Sequence, residues 1–249
     1  MAAEVRDVEP TAEQVAAVAQ RRVFFGHQSV GANVLEGLAE VTGGRVRVVE
    51  SRDAAAFETP GVVHAFLGQN EAPLTKVADF EKAMDAVGGR ADVALYKFCY
   101  VDFDATTDVD ALFEAYRGSL ERVAAKFPQL TVVAVTAPLT TVQTGPKAWL
   151  KNTFGGGAWG EKENVKRHAF NEKVRAAFRG KPLFDLARVE AVRPDGTTQA
   201  FTRDGATVPA LVPAYSDDGG HLNAAGRKAV AAELVKVLAA LPLKAAVAP

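Results

Sequence analysis

Ser29 and the pair Asp218 and His221 are the residues whose types and spacing best suit covalent catalysis. Ser29 follows an apolar run, residues 23–25, within the stretch RVFFGHQSVG, and SDDGGHLN places Asp218 three residues before His221 near the other end of the chain. A serine hydroxyl attacks a carbonyl carbon once a base takes its proton, and an imidazole held by a carboxylate is such a base. Each motif alone is more often a helix cap or a chance pair, whereas the two together indicate a serine hydrolase.

These motifs resemble those of the SGNH or GDSL-like hydrolases, and the resemblance extends from about Val23 to Leu238. FGHQSVG is similar to the first sequence block of that family and DDGGHLN to the last, although HQSV, residues 27–30, stands where the family commonly has Gly-Asp-Ser-Leu. The resemblance implies a flavodoxin-like sheet. It also implies that Ser29 is the nucleophile, His221 the general base and Asp218 the carboxylate that orients the base.

The oxyanion hole implied by the resemblance includes the backbone N–H groups of Ser29 and Gly68. The third block of the family is usually Gly-x-Asn-Asp, and the corresponding stretch here, Cys99 to Asp102, contains no asparagine. Asn70, two residues after Gly68, is the candidate replacement because a side-chain amide can donate to an oxyanion. A polar surface turn is the alternative interpretation of Gly68 and Asn70.

Four further side chains are candidates for contacting substrate: His27, His64, Lys97 and Trp159. His27 can instead form a structural hydrogen bond at the end of its strand, and Lys97 can pair with Asp102. Trp159 belongs to the glycine-rich segment 152–160, which also contains Phe154. This segment is either a lid over the cleft or a surface loop whose aromatic side chains pack on the domain.

Alternating strand-like and helix-like segments predict βαβ units around a mostly parallel sheet. Five strands are predicted at 22–25, 45–51, 92–98, 130–138 and 182–187, with helices at 11–20, 30–40, 75–87, 109–127, 164–178 and 224–241. Segment 52–73 is predicted to be a loop. We therefore predict one domain over residues 1–249, with a core at about 22–241, folded as a three-layer α/β/α sandwich around a flavodoxin-like, five-stranded parallel sheet. Ligands of such sheets bind beyond the carboxyl ends of the strands, where Ser29 lies.

Composition and charge argue against several other classes of protein. Apolar residues make up 48% of the chain and charged residues 24%, and the net charge of −1 gives no reason to expect binding to nucleic acid or to an anionic membrane. No apolar run is long enough to cross a bilayer, and the first residues lack a signal-peptide pattern. We expect a soluble protein, either cytoplasmic or secreted after removal of a signal peptide. The single cysteine, Cys99, excludes an intramolecular disulfide and favours a buried, inert thiol.

The sequence thus predicts a serine esterase that needs no cofactor and cleaves a small acyl ester, such as an O-acetyl group on a carbohydrate. Acyl transfer to an alcohol uses the same triad and stays open, as does the oligomeric state. A flavodoxin-like domain that binds a small ligand without catalysis is a second hypothesis. A metal-dependent hydrolase using His27, His64 and aspartates is a third, although no H-x-x-x-H or H-E-x-x-H spacing supports a metal site.

Overall fold

A parallel β-sheet lies at the centre of the fold. The computed structural model describes residues 9–143 and 160–242. In chain order the strands of the sheet are β1 (Arg22–His27), β2 (Val48–Glu50), β3 (Gly61–Phe66), β4 (Val93–Tyr96), β5 (Thr131–Val135) and β6 (Leu183–Phe184). Their order across the sheet is β2-β3-β1-β4-β5-β6, and all neighbouring pairs are parallel. The chain winds to one side of β1 through β2 and β3 and then to the other side through β4, so the carboxyl end of β1 lies where the winding reverses.

Helices cover both faces of this sheet. Within the described residues they are α1 (Ala12–Ala19), α2 (Ser29–Thr42), α3 (Pro73–Val87), α4 (Val109–Lys126), α5 (Glu161–Ala177), α6 (Leu186–Ala191) and α7 (Ala224–Ala240). Side chains alternate along a strand, and accordingly Phe25 of β1 belongs to the apolar core on the side of α1, α2, α6 and α7. Phe24 belongs to the core on the side of α3, α4 and α5. The predicted three-layer α/β/α sandwich is confirmed. No segment within residues 9–143 and 160–242 has the length and apolar character of a bilayer-spanning helix.

Within the described residues the sheet has six strands, so the predicted number of five was wrong. The missing strand is β3, which lies inside segment 52–73 and pairs with β1 on one side and β2 on the other. It is six residues long and mostly buried between its neighbours, so it has a short apolar run in place of the polar and apolar alternation of a half-buried strand. Its position matters because β3, not β2, brings the following residues 67–70 beside the carboxyl end of β1.

Two further differences lie in the second half of the chain. The strand predicted at 182–187 is only Leu183–Phe184, because the Asp185 side chain accepts a hydrogen bond from the Arg188 N–H and begins α6. Residues 188–223, where neither a strand nor a helix is predicted, include an antiparallel hairpin of β7 (Ala200–Arg203) and β8 (Ala206–Pro209). Asp204 and Gly205 form its two-residue turn, both with positive φ, as a tight hairpin of this kind requires.

Close packing of α2 against α7 brings the segment of Ser29 and the segment of His221 together. A Cβ added at Gly37 of α2 would lie 2.3 Å from the Arg227 carbonyl oxygen of α7, so only glycine permits this approach. Arg227 also forms ion pairs with Glu36 and Glu40 of α2. The loop before α7 therefore lies next to the first turn of α2.

Candidate active site

Ser29, His221 and Asp218 form one hydrogen-bonded chain at the carboxyl edge of the sheet. The Ser29 Oγ lies 3.0 Å from His221 Nε2, and His221 Nδ1 lies 2.6 Å from Asp218 Oδ2. Because the Asp218 carboxylate accepts a hydrogen bond, it fixes the neutral imidazole tautomer with the proton on Nδ1. His221 Nε2 is then the acceptor that faces the serine hydroxyl.

Local structure holds both Ser29 and the turn of Asp218 and His221 in place. Ser29 is the first residue of α2, separated from β1 only by Gln28. On the other side, Asp218 Oδ1 accepts the N–H groups of Gly220 and His221 at 2.9 and 2.8 Å, which makes the loop a tight turn. The Leu222 N–H donates to the Asn33 side chain of α2 at 3.2 Å, so the histidine loop is attached directly to the helix that begins with Ser29.

The electrostatic environment keeps the Asp218 carboxylate ionised. Desolvation raises the pKa of Asp218, but the N–H groups of Gly220 and His221 and the imidazole of His221 outweigh this effect and hold the pKa well below its usual range. The Tyr100 ring packs edge-on against the imidazole, with 5.5 Å between ring centroids. The His221 side chain remains 41% exposed among the described residues, so a substrate or a water molecule can reach its Nε2.

Within the described part of the chain, two of the three predicted oxyanion donors have N–H groups that are not donated to an acceptor. As the first residue of α2, Ser29 has an N–H without an acceptor in the helix, at the positive end of the helix dipole. Asn70 is exposed, its Oδ1 accepts from Lys76 Nζ at 3.1 Å, and its Nδ2 has no acceptor within the described residues.

The third predicted donor, Gly68, is already engaged in a hydrogen bond. Its N–H donates to Asp79 Oδ2 at 2.9 Å, and Asp79 is held in turn by two hydrogen bonds of 2.7 Å from Arg52. A role for the Gly68 N–H would require that bond to be given up. The Gly68 carbonyl accepts from Gln28 Nε2 at 3.1 Å, which places the loop of Gly68 and Asn70 next to the residue that precedes the nucleophile.

The candidate substrate residues His27 and His64 contact each other. His27 Nε2 lies 3.0 Å from His64 Nδ1, and His27 Nδ1 lies 2.8 Å from the Gln28 carbonyl oxygen. Since that carbonyl requires a proton on Nδ1, His27 Nε2 is the acceptor and His64 Nδ1 the donor. Burial lowers the pKa of His27 to about 3 and also lowers the pKa of His64. The structure thus pairs these two histidines under α2 and does not bring them to the Ser29 hydroxyl.

Lys97 and Trp159 complete the set of predicted substrate residues. Lys97 is buried and its Nζ donates to the Phe98 carbonyl at 3.1 Å, while burial lowers its pKa. The ion-pair partner of Asp102 is Lys76, at 2.5 Å, and not Lys97 as the alternative interpretation had it. Trp159 and Phe154 lie outside the described residues. Within residues 9–143 and 160–242, no group of three or more His, Cys, Asp or Glu side chains is arranged to hold a metal ion.

Cys99, Lys76 and Asp102 are site neighbours that the sequence did not identify. Cys99 is buried, as expected, but its Sγ lies 3.9 Å from the Ser29 Oγ. The signal that could have found Cys99 is its position just beyond β4, which pairs with β1. Lys76 had no comparable signal because it lies on a helix and reaches the site from below the loop of residues 67–70.

Comparisons with known proteins support the fold. No family model matches the sequence, and no curated relative matches it either. A solved structure from Streptococcus pneumonia, whose name refers to platelet activating factor, matches with a TM-score of 0.52 at 16% identity over 94% of this chain and 86% of that one. A structure from Desulfitobacterium hafniense, named as a lipolytic protein of the G-D-S-L family, has a TM-score of 0.48 at 11% identity over 86% of this chain and 98% of its own. At 16% identity the likeness to the Streptococcus pneumonia structure is one of fold alone.

Proposed function

We propose that this protein is a serine esterase with Ser29, His221 and Asp218 as its catalytic triad. The observation that carries the proposal is the hydrogen-bonded chain from Ser29 Oγ through the imidazole to the carboxylate, with distances of 3.0 and 2.6 Å. Ser29 and His221 lie 192 positions apart in the sequence, and yet their side chains are within hydrogen-bond distance of each other. If Ser29 only capped a helix and His221 only lay at the surface, neither residue would need to be in this hydrogen-bonded chain.

The proposed reaction has two steps. In the first, His221 Nε2 takes the proton of the Ser29 hydroxyl as Oγ bonds to the ester carbonyl carbon, and the Ser29 N–H and Asn70 Nδ2 donate to the oxyanion. The imidazolium returns that proton to the departing alkoxide, which leaves an acyl group on Ser29. In the second step His221 takes a proton from water, the hydroxide attacks the acyl carbon, and the carboxylic acid is released as Oγ regains its proton.

A small acyl group on a polar alcohol, such as an acetylated carbohydrate, is the proposed substrate class. The Cys99 thiol stands 3.9 Å from the nucleophile and restricts the space for a long acyl chain on that side. A cleft beside Asp218 is lined by the polar side chains of Thr141, Gln143 and Ser216, together with Val142 and Pro213. Such a lining favours hydroxyl-rich leaving groups over lipids.

A series of p-nitrophenyl esters with acetyl, butyryl and octanoyl chains tests this proposal. We expect hydrolysis of the acetyl ester, a lower kcat/KM as the chain lengthens, and a loss of about 10⁴-fold or more in kcat for Ser29→Ala. Activity is expected to survive exhaustive chelation. A folded wild-type protein that cleaves none of the esters, or a Ser29→Ala variant that retains activity, would refute the esterase proposal. Loss of activity on chelation would instead favour the metal-dependent hydrolase.

A further inference from the structure

A buried ion pair lies beneath the loop that contains Asn70. Lys76, in the first turns of α3, and Asp102, just beyond β4, are 2.5 Å apart, and their side chains are 1% and 0% exposed. Removing two charges from water costs free energy that their mutual attraction alone seldom repays. The other hydrogen bonds that Lys76 and Asp102 form therefore indicate the function of the pair.

Asp102 ties the loop after β3 to the segment after β4. Its Oδ1 accepts the Glu71 N–H at 3.0 Å, and its Oδ2 accepts the Cys99 N–H at 2.6 Å in addition to Lys76. The thiol of Cys99 contacts the Ser29 hydroxyl. One carboxylate thus connects the nucleophile's neighbour to the residue that follows Asn70.

Lys76 determines which way the Asn70 amide faces. Its ammonium group can only donate, so the atom of Asn70 that lies 3.1 Å from Nζ must be the amide oxygen. The Nδ2 group then points away from the buried pair, and the exposed position of Asn70 leaves it free to donate. Donation from a cation to the amide oxygen also polarises the amide and strengthens its N–H groups as donors.

We infer that Lys76, held by Asp102, is a positioning residue that fixes Asn70 as the side-chain donor of the oxyanion hole. The inference rests on the proposed esterase function. In this arrangement the loop after β3 supplies the amide that the stretch from Cys99 to Asp102 lacks. Lys76 acts through Asn70 and does not itself contact the substrate.

A double-mutant cycle on the full-length protein tests this inference, with p-nitrophenyl acetate as substrate. Asn70→Ala is expected to lower kcat by about 100-fold, the usual effect of removing one oxyanion donor. Lys76→Met is expected to lower kcat by a similar factor of about 100 while KM changes little, because only the transition state carries the oxyanion. In the Asn70→Ala background, Lys76→Met should change kcat less than about twofold. Lys82→Met, an exposed lysine of the same helix, is the matched control and should leave kcat unchanged.

Equal losses of kcat on Lys76→Met in both backgrounds would overturn the inference, since a general loosening of the fold does not depend on Asn70. Because Lys76→Met leaves a buried carboxylate without its partner, the same cycle is run with Lys76→Met combined with Asp102→Asn, and thermal unfolding establishes that each variant is folded. Asn70→Asp keeps an acceptor for Lys76 but removes the donor. An unchanged kcat in Asn70→Asp would overturn the inference even if neither Lys76 variant folds.

The failure of this inference is distinguishable from a failure of the proposed function. If the wild-type protein hydrolyses the acetyl ester and Ser29→Ala does not, while the cycle is additive, only the role of Lys76 is refuted. If the wild-type protein shows no activity on any ester, the proposed function fails and the inference fails with it.

Discussion

Acidification from pH 7 to pH 5 is expected to destabilise the folded protein through His27. This imidazole is fully buried at the end of β1, and burial lowers its pKa from 6.5 to about 3. The unfolded chain binds a proton at His27 once the pH falls below about 6.5, whereas the folded chain does not until about pH 3. Stability is therefore lost as the pH falls through that window, and the loss by pH 5 is about 2 kcal/mol.

Urea unfolding at pH 7 and pH 5 measures this effect, with His27→Phe as the variant that keeps a ring but cannot titrate. The decrease in the free energy of unfolding between the two pH values should be smaller in His27→Phe than in the wild-type protein by about 2 kcal/mol. His168→Gln, a partly exposed histidine of α5, is the control and should retain most of the wild-type pH dependence. An equal pH dependence in the wild-type protein and His27→Phe would refute the assignment of a buried, neutral His27.

Two further substitutions test the orientation of the base and the shape of the loop after β3. Asp218→Asn should lower kcat by about 10⁴-fold, because it removes the carboxylate that fixes the His221 tautomer. Asp217→Asn is the control and should have little effect on kcat. Similar kinetics in the two variants would exclude Asp218 from the triad. Gly68→Ala should destabilise the fold by about 1 to 3 kcal/mol and lower kcat. Gly68 has a φ of +53°, and an added Cβ would lie 2.5 Å from the backbone nitrogen of Lys76. Gly89→Ala is the control in thermal unfolding and ester hydrolysis, because a Cβ added at Gly89 meets open space. Indistinguishable results for the two alanine variants would contradict the requirement for glycine at position 68.

The parts of the site that lie in short local motifs could be predicted from the sequence. The junction of β1 and α2 fixes Ser29 through the change from a buried apolar run to a helical pattern. The turn of Asp218 and His221 is likewise local, because three residues separate the two side chains that contact each other. Parallel strands end at a common edge, so both motifs could be placed at that edge once the fold class was predicted.

The contacts between distant segments could not be predicted in the same way. The pairing of His27 with His64 depends on the register between β1 and β3, which residue types alone do not specify. The pair of Lys76 and Asp102 depends on how α3 lies over the sheet, which residue types alone do not specify. The hairpin differs from these, because its Asp204-Gly205 turn is a local signal that was available in the sequence.

Labelling with a fluorophosphonate probe, followed by peptide mass spectrometry, tests the central claim most directly. We expect one covalent adduct on Ser29 in the wild-type protein, and labelling at least about 10³-fold slower in His221→Gln, because the hydroxyl then lacks the base that lies 3.0 Å from it. An unlabelled Ser29 in the folded protein, or labelling at the same rate without His221, would contradict the claim that these two residues form a catalytic pair.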